Sequence, residues 1–188
     1  MPARPLSLEQ RAKIRDTVLG LAEHHGFDGW RISDVIERTG ISSRTLYKYY
    51  PSKEYLLLDA MIVTASHLLD NLVDDAATGK DPRTRVLRTL SKLTEVLVGS
   101  PSSSRAMVRA LTCGQEAIAP MLRTFNDSLH LVVARALAGG EPDAQEWDAA
   151  QVVQQVWFAS AISWAADIVP PAYIEESVVR ALELIDKV

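Results

Sequence analysis

Residues 32–53 read ISDVIERTGISSRTLYKYYPSK, and this stretch decides the fold. Its first part places Ile32, Val35 and Ile36 on one helical face and stops at Gly40, where a helix end favours a left-handed residue. A second short helix is predicted over Ser43–Tyr50, halted by Pro51. Two short helices around a three-residue turn containing a glycine have the spacing of a helix-turn-helix. In that motif the second helix enters the major groove of DNA and the first crosses the backbone. The chemistry of the second helix is unusual for a buried one. It carries Ser43, Arg44, Thr45, Tyr47, Lys48 and Tyr49, with Leu46 as its clearly apolar residue. Hydroxyls, a guanidinium and phenols suit phosphates and base edges, whereas a core helix of this length would carry several aliphatic residues. For Tyr47 and Tyr49 the competing reading is aromatic packing in the core.

The apolar spacing is helical on both sides of this segment. Upstream, Ile14, Val18, Leu21 and Ala22 predict a helix over Leu8–His25, closed by Gly26. Downstream, Ser52 is placed to cap a long helix over Ser52–Ala77, with a stripe running Leu56, Ala60, Val63, Thr64, His67, Leu68, Asn71, Leu72. On that stripe His67 reads as a hydrogen-bonded core histidine, while His24 and His25 suit the negative end of the first helix. Further helices are expected over Pro82–Val98, Ser102–Leu111, Gln115–Ala138 and Pro142–Asp167, followed by a last one after Pro170-Pro171. The helix containing Trp157 is apolar on more than one side and must be covered on more than one side. No segment alternates with the period of a strand. The fold class is all-α, with about nine helices (three short ones, then helices sized for a bundle).

Composition narrows the function. The chain has 188 residues, 47% hydrophobic and 23% charged, too apolar for disorder. Cys113 is the single cysteine, so neither an internal disulfide nor a cysteine-rich zinc site is expected; it reads as a buried thiol or a redox sensor. No uninterrupted run of apolar residues predicts a membrane span, and a cytoplasmic protein with no membrane partner is expected. The net charge of −4 hides an asymmetry: residues 1–55 carry nine Lys/Arg against seven Asp/Glu, and Ile41–Lys53 holds three cations and no acid. No glycine-rich phosphate loop, metal-binding histidine pair or nucleophile elbow is present, so neither metal nor cofactor is expected. A helical-bundle enzyme and a protein-interaction module remain the competing classes. The second does not explain the hydroxyls and cations of 43–49.

The run Thr45-Leu46-Tyr47-Lys48-Tyr49-Tyr50-Pro51-Ser52-Lys53-Glu54, preceded by Gly40-Ile41-Ser42, resembles the DNA-binding signature of TetR-family transcriptional regulators. The resemblance covers residues 14–58. It implies a DNA-binding domain over residues 1–52 and a ligand-binding and dimerisation domain over 53–188. It further implies that Ser42, Ser43, Arg44, Thr45 and Tyr47 face the groove, that Tyr49 and Lys53 hold phosphates, and that Lys48 meets backbone or base. Ile41, Leu46 and Tyr50 would pack the motif against the first helix. At Trp30 and Arg31 the chain departs from the small hydroxyl residues usual in the family; Trp30 cannot cap through a side-chain oxygen, and Arg31 would reach a phosphate instead. Gly139-Gly140-Glu141-Pro142, with Val156-Trp157 through Trp164, is similar to actinobacterial regulators of the type that represses cholesterol catabolism, relatives of which respond to steroids or acyl-CoA thioesters. The expected partners are a double-stranded operator, a second copy of the chain and a small hydrophobic effector. Inward-facing Met107, Leu111, Met121, Phe125, Leu129 and Trp157 are the expected effector contacts, with core packing as the alternative for each.

Overall fold

The computed structural model describes residues 5–111 and 116–185. Among these residues every regular element is helical: α1 (Leu8–His25), α2 (Ile32–Thr39), α3 (Ser43–Tyr49), α4 (Lys53–Ala76), α5 (Pro82–Gly99), α6 (Pro101–Leu111), α7 (Ala119–Ala138), α8 (Ala144–Ala165) and α9 (Ala172–Ile185). Cys113 lies outside the described residues. They form two compact units, one within Met1–Thr64 and Ser100–Met121, the other within Ala65–Gly99 and Leu122–Val188. In sequence order α4 therefore contributes to both, and α6 belongs with the N-terminal helices.

In the first unit α1 packs on α2 and α6. The stripe Ile14, Val18, Leu21, Ala22 is fully buried, as its period demands. Ser7 caps α1 by accepting from the Gln10 N–H at 3.1 Å, and the Gln10 amide oxygen accepts from the Ser7 N–H at 3.0 Å.

In the second unit α5, α8 and α9 pack on one another. The Trp157 indole donates to Thr94 Oγ1 at 2.9 Å, tying α8 to α5. Along the α7–α8 seam, Gln154 donates to the Asn126 side-chain oxygen at 2.6 Å, and His130 Nε2 is 2.8 Å from the Trp147 carbonyl. The buried Arg85 of α5 holds the end of α7: its Nε and one terminal nitrogen donate to the carbonyls of Ala136 and Leu137, both at 2.7 Å. A cation there also suits the negative end of the helix. Gly139 must be glycine on two counts. Its φ is +73°, and a Cβ there would lie 2.9 Å from the Arg85 guanidinium.

Three expectations need correction. The stripe assigned to α4 holds only in part: its Leu56, Ala60 and Leu72 are buried, but so are Leu57, Leu58 and Leu69 outside it, whereas its Thr64, His67 and Asn71 are exposed. His67 is thus a surface residue. One stripe fails because α4 is buried in different units along its length and covered nearly all round at its leucines. The helix expected over Gln115–Ala138 begins as a 3-10 turn (Glu116–Ile118), and α7 starts at Ala119. Pro120, in the first turn of α7, cannot donate and its ring would strike a carbonyl one turn earlier, so the α-helix does not extend back over Glu116–Ile118. Finally, Pro142 lies outside α8. Asp143 caps it, accepting from the Gln145 and Glu146 N–H groups at 2.8 and 3.0 Å, while Glu146 accepts from the Asp143 N–H.

The segment Lys53–Val73 of α4 is long and apolar enough, by length and composition alone, to pass for a membrane span. Asp59 and Asp70 interrupt it, and its leucines at 56–58 are spent on the protein's own core.

Candidate nucleic-acid interface

The turn between α2 and α3 is built by backbone rules. Gly40 takes the left-handed conformation (φ 72°, ψ 11°) and its N–H donates to the Ile36 carbonyl at 2.9 Å, closing α2. Ser42 then caps α3, accepting from the Thr45 N–H at 3.2 Å, and the two hydroxyls are 2.8 Å apart. At the start of α2 the absent hydroxyl cap is replaced by a single carboxylate: Asp34 Oδ2 accepts from the Arg31 N–H at 2.7 Å. Arg31 keeps an exposed side chain.

α3 has one buried residue and a polar remainder. Leu46 is 0% exposed, flanked at the ends of the motif by buried Ile41 and Tyr50. Its neighbour Tyr47 is 51% exposed. Ser42, Ser43, Arg44 and Lys48 are exposed as well, and Thr45 and Tyr49 are half-buried. A helix this short cannot hold itself in water. It is held by Leu46, while the groups suited to phosphates and base edges stay at the surface.

Sequence reasoning missed Arg11. From α1 its guanidinium lies 5.3 Å from the centre of the Tyr49 ring, and the Lys48 ammonium lies 5.2 Å from it. Burial raises the Tyr50 phenol pKa, Asp59 adds to the rise, and Arg11 opposes it by charge and hydrogen bond. Burial likewise raises the Asp59 carboxyl against Arg11 and Arg15. No local pattern signals these neighbours, because they come from α1 and α4.

Lys53 stands apart from the other expected contacts. It is half-buried at the first residue of α4, and its ammonium donates to the Trp30 carbonyl. It lies 4.5 Å from the Trp30 ring and 4.7 Å from the Phe27 ring. That hydrogen bond occupies one of the three N–H groups of the ammonium.

Of the residues expected to meet an effector, Trp157 lines a cavity of about 200 Å³ with Leu87, Leu90, Thr94 and Val178 as its neighbours and Glu95 and Glu175 among its walls. Leu129 is buried in α7, and Phe125 and Met121 are half-buried on the same helix. Met107 and Leu111 are half-buried on α6. The cavity gathers none of these five. Among the described residues no group of three or more His, Cys, Asp or Glu is arranged to hold a metal ion.

Residues 14–60 match the family described as bacterial regulatory proteins, tetR family, and residues 79–185 match the tetracyclin repressor-like C-terminal domain. The chain belongs to the TetR family of transcriptional regulators. These are DNA-binding proteins without enzymatic activity. It is 28% identical to the HTH-type transcriptional repressor KstR of Mycobacterium tuberculosis over 156 residues, which is 83% of this chain and 71% of that one. It is 32% identical to the regulator EthR of Mycolicibacterium smegmatis over 117 residues, covering 61% of this chain and 53% of EthR. Its fold is shared with a TetR regulator from Rhodococcus sp. RHA1 (TM-score 0.78, 22% identity, covering 94% of this chain and 96% of that one). It is shared too with Thermus thermophilus FadR, a TetR-family repressor solved with lauroyl-CoA (TM-score 0.72, 21% identity, 93% and 92% covered).

Proposed function

We propose that this TetR-family regulator represses transcription by binding a palindromic operator as a homodimer, and that a small hydrophobic effector releases it. The observation that carries the reading is α3: a helix anchored by one buried leucine, with its hydroxyls, cations and an exposed tyrosine left to solvent. In this reading Ser42, Ser43, Arg44, Thr45 and Tyr47 face the major groove. Arg31, Tyr49 and Lys53 hold phosphates, and Lys48 meets backbone or base. Residues 1–52 form the reading head and 53–188 the regulatory part, in the cytoplasm where the DNA is.

Unpaired apolar surface supports the dimer. Val152 and Phe158 of α8 are 49% and 40% exposed, and Leu184 of α9 is 64% exposed, although α8 and α9 pack on each other. A second copy covering the same surfaces across a two-fold axis would bury them and set the separation of the two α3 helices, about 34–36 Å for adjacent major grooves.

For the effector, the support is the KstR likeness together with FadR, the structural neighbour solved with lauroyl-CoA. Trp157 forms part of its site, with Met107, Leu111, Met121, Phe125 and Leu129 as further contacts.

The test is fluorescence anisotropy of a labelled mixed-sequence duplex at low ionic strength, followed by salt titration and addition of acyl-CoAs or steroids. Binding that weakens linearly with the logarithm of salt and is reversed by one of these ligands supports the reading. A dimer that ignores duplex DNA at low salt overturns it.

A further inference from the structure

Phe27 and Asp28, in the loop between α1 and α2, receive cations from two helices. The Lys53 ammonium lies 4.7 Å from the Phe27 ring centre, and the Arg109 guanidinium of α6 lies 5.4 Å from the same centre. Arg109 also pairs directly with Asp28. A second tether joins α6 to the end of α1: Glu23 Oε2 accepts from the Ser103 N–H at 3.2 Å and from its hydroxyl at 3.0 Å. All these residues lie in one compact unit.

Lys53 is poorly placed for its charge. It stands at the positive end of the α4 dipole and is partly desolvated. Burial pulls its pKa down; Asp28 is the strongest charge acting in the opposite sense, and Arg109 acts with burial. The carboxylate of Asp28 is therefore shared between an arginine that pairs with it and a lysine that would gain from it.

We propose that Arg109 is a positioning residue for DNA binding, which keeps Asp28 occupied so that the Lys53 charge is left for a phosphate. The proposal rests on the reading of Lys53 as a phosphate contact. With Arg109 on Asp28 the loop carboxylate is held by the arginine and offsets the Lys53 charge only in part. When Arg109 leaves, Asp28 is released to Lys53, which already lies against the Phe27 ring, and the lysine's charge is cancelled internally. The Arg109–Asp28 pair is suited to such an exchange. Both side chains are largely exposed, and exposed pairs are weak enough to break easily. In the chain α6 connects α5 and α7, which belong mainly to the other unit.

The experiment is duplex binding by anisotropy across a salt series for Lys53→Ala, Arg109→Ala, Asp28→Asn and the Arg109→Ala/Asp28→Asn double variant. Lys53→Ala first checks the underlying reading: it should bind more weakly, with a salt slope shallower by about one unit. Arg109→Ala should then bind about fivefold more weakly, the order of one charge lost near a phosphate, and share that shallower slope. Asp28→Asn alone should bind at least as tightly as the wild type. The double variant should recover wild-type affinity and slope, because no carboxylate remains to capture Lys53. If Arg109 merely braces the fold, removing its partner as well will not restore binding. Failure of that rescue, or wild-type binding by Arg109→Ala, overturns the proposal while leaving the Lys53 reading intact. An unchanged Lys53→Ala overturns both.

Discussion

Leu46 and Tyr47 are consecutive residues of α3 with opposite surroundings, so truncating each to alanine separates folding from DNA contact. Leu46 is fully buried and Tyr47 is 51% exposed. Leu46→Ala removes buried methyl groups and leaves a void, at a cost of about 3 kcal/mol. For a chain of 188 residues that corresponds to about 6–12 °C in Tm. Tyr47→Ala gives up only the covered half of a side chain whose complete burial is worth about 2 kcal/mol, so the loss stays under about 1 kcal/mol. Part of even that is offset by the better helix propensity of alanine. If Tyr47 meets a base edge or a phosphate, its removal costs about 1–3 kcal/mol of binding per recognition helix, or about 5- to 150-fold in affinity. Differential scanning fluorimetry and duplex anisotropy on the two purified variants give the answer. Tyr47→Ala should melt within about 3 °C of the wild type and bind markedly more weakly. A melting temperature lowered as far as that of Leu46→Ala would make Tyr47 a packing residue. Unchanged affinity in a stable variant would remove it from the interface.

Other perturbations test the frame that carries this helix. Arg85→Met strips the donors from the carbonyls of Ala136 and Leu137 and should lower stability by about 3–5 kcal/mol; Gly139→Ala introduces both a positive-φ strain and a clash with Arg85. In a thermal or urea double-mutant cycle the two should be less than additive, since the clash disappears with the guanidinium; strict additivity would contradict the contact. Asp59→Asn should raise Tm at neutral pH. The folded-state pKa of Asp59 is raised by burial, so its ionised form costs stability at neutral pH; the cost shrinks as pH falls below the folded-state value and is gone only below the ordinary carboxylate range. The advantage of the variant should therefore shrink in acid, and a Tm gap independent of pH would refute the burial argument. Asp143→Ala removes the acceptor for two N–H groups at the start of α8 and should cost about 1 kcal/mol in chemical denaturation; no loss would mean that water caps the helix equally well.

The reading head was legible in the linear chain because its determinants are local. Gly40, Ser42 and Ser52 act on residues within four positions of themselves, and each does so in the structure: Gly40 on Ile36, Ser42 on Thr45, Ser52 on Tyr55. The same holds for α1, whose buried stripe needs only the helical period. The stripe of α4 was misread because period alone does not say that a helix crosses from one compact unit to another. Arg11 and Arg109 gave no signal, since each acts on aromatic or acidic groups brought near by folding.

From its order of residues alone, then, this protein is all-helical, carries a helix-turn-helix before residue 54, and presents hydroxyls and cations on the second helix of that motif. Helical period, glycine conformation and side-chain capping operate within about a turn, and they need no distant partner. Only the tertiary structure decided that Lys53 turns to Trp30 across 23 positions, that Arg85 closes α7 from 51 positions away, and which apolar residues of α8 are left bare. Those outcomes depend on which surfaces meet, and a surface is assembled from residues that the chain itself keeps far apart.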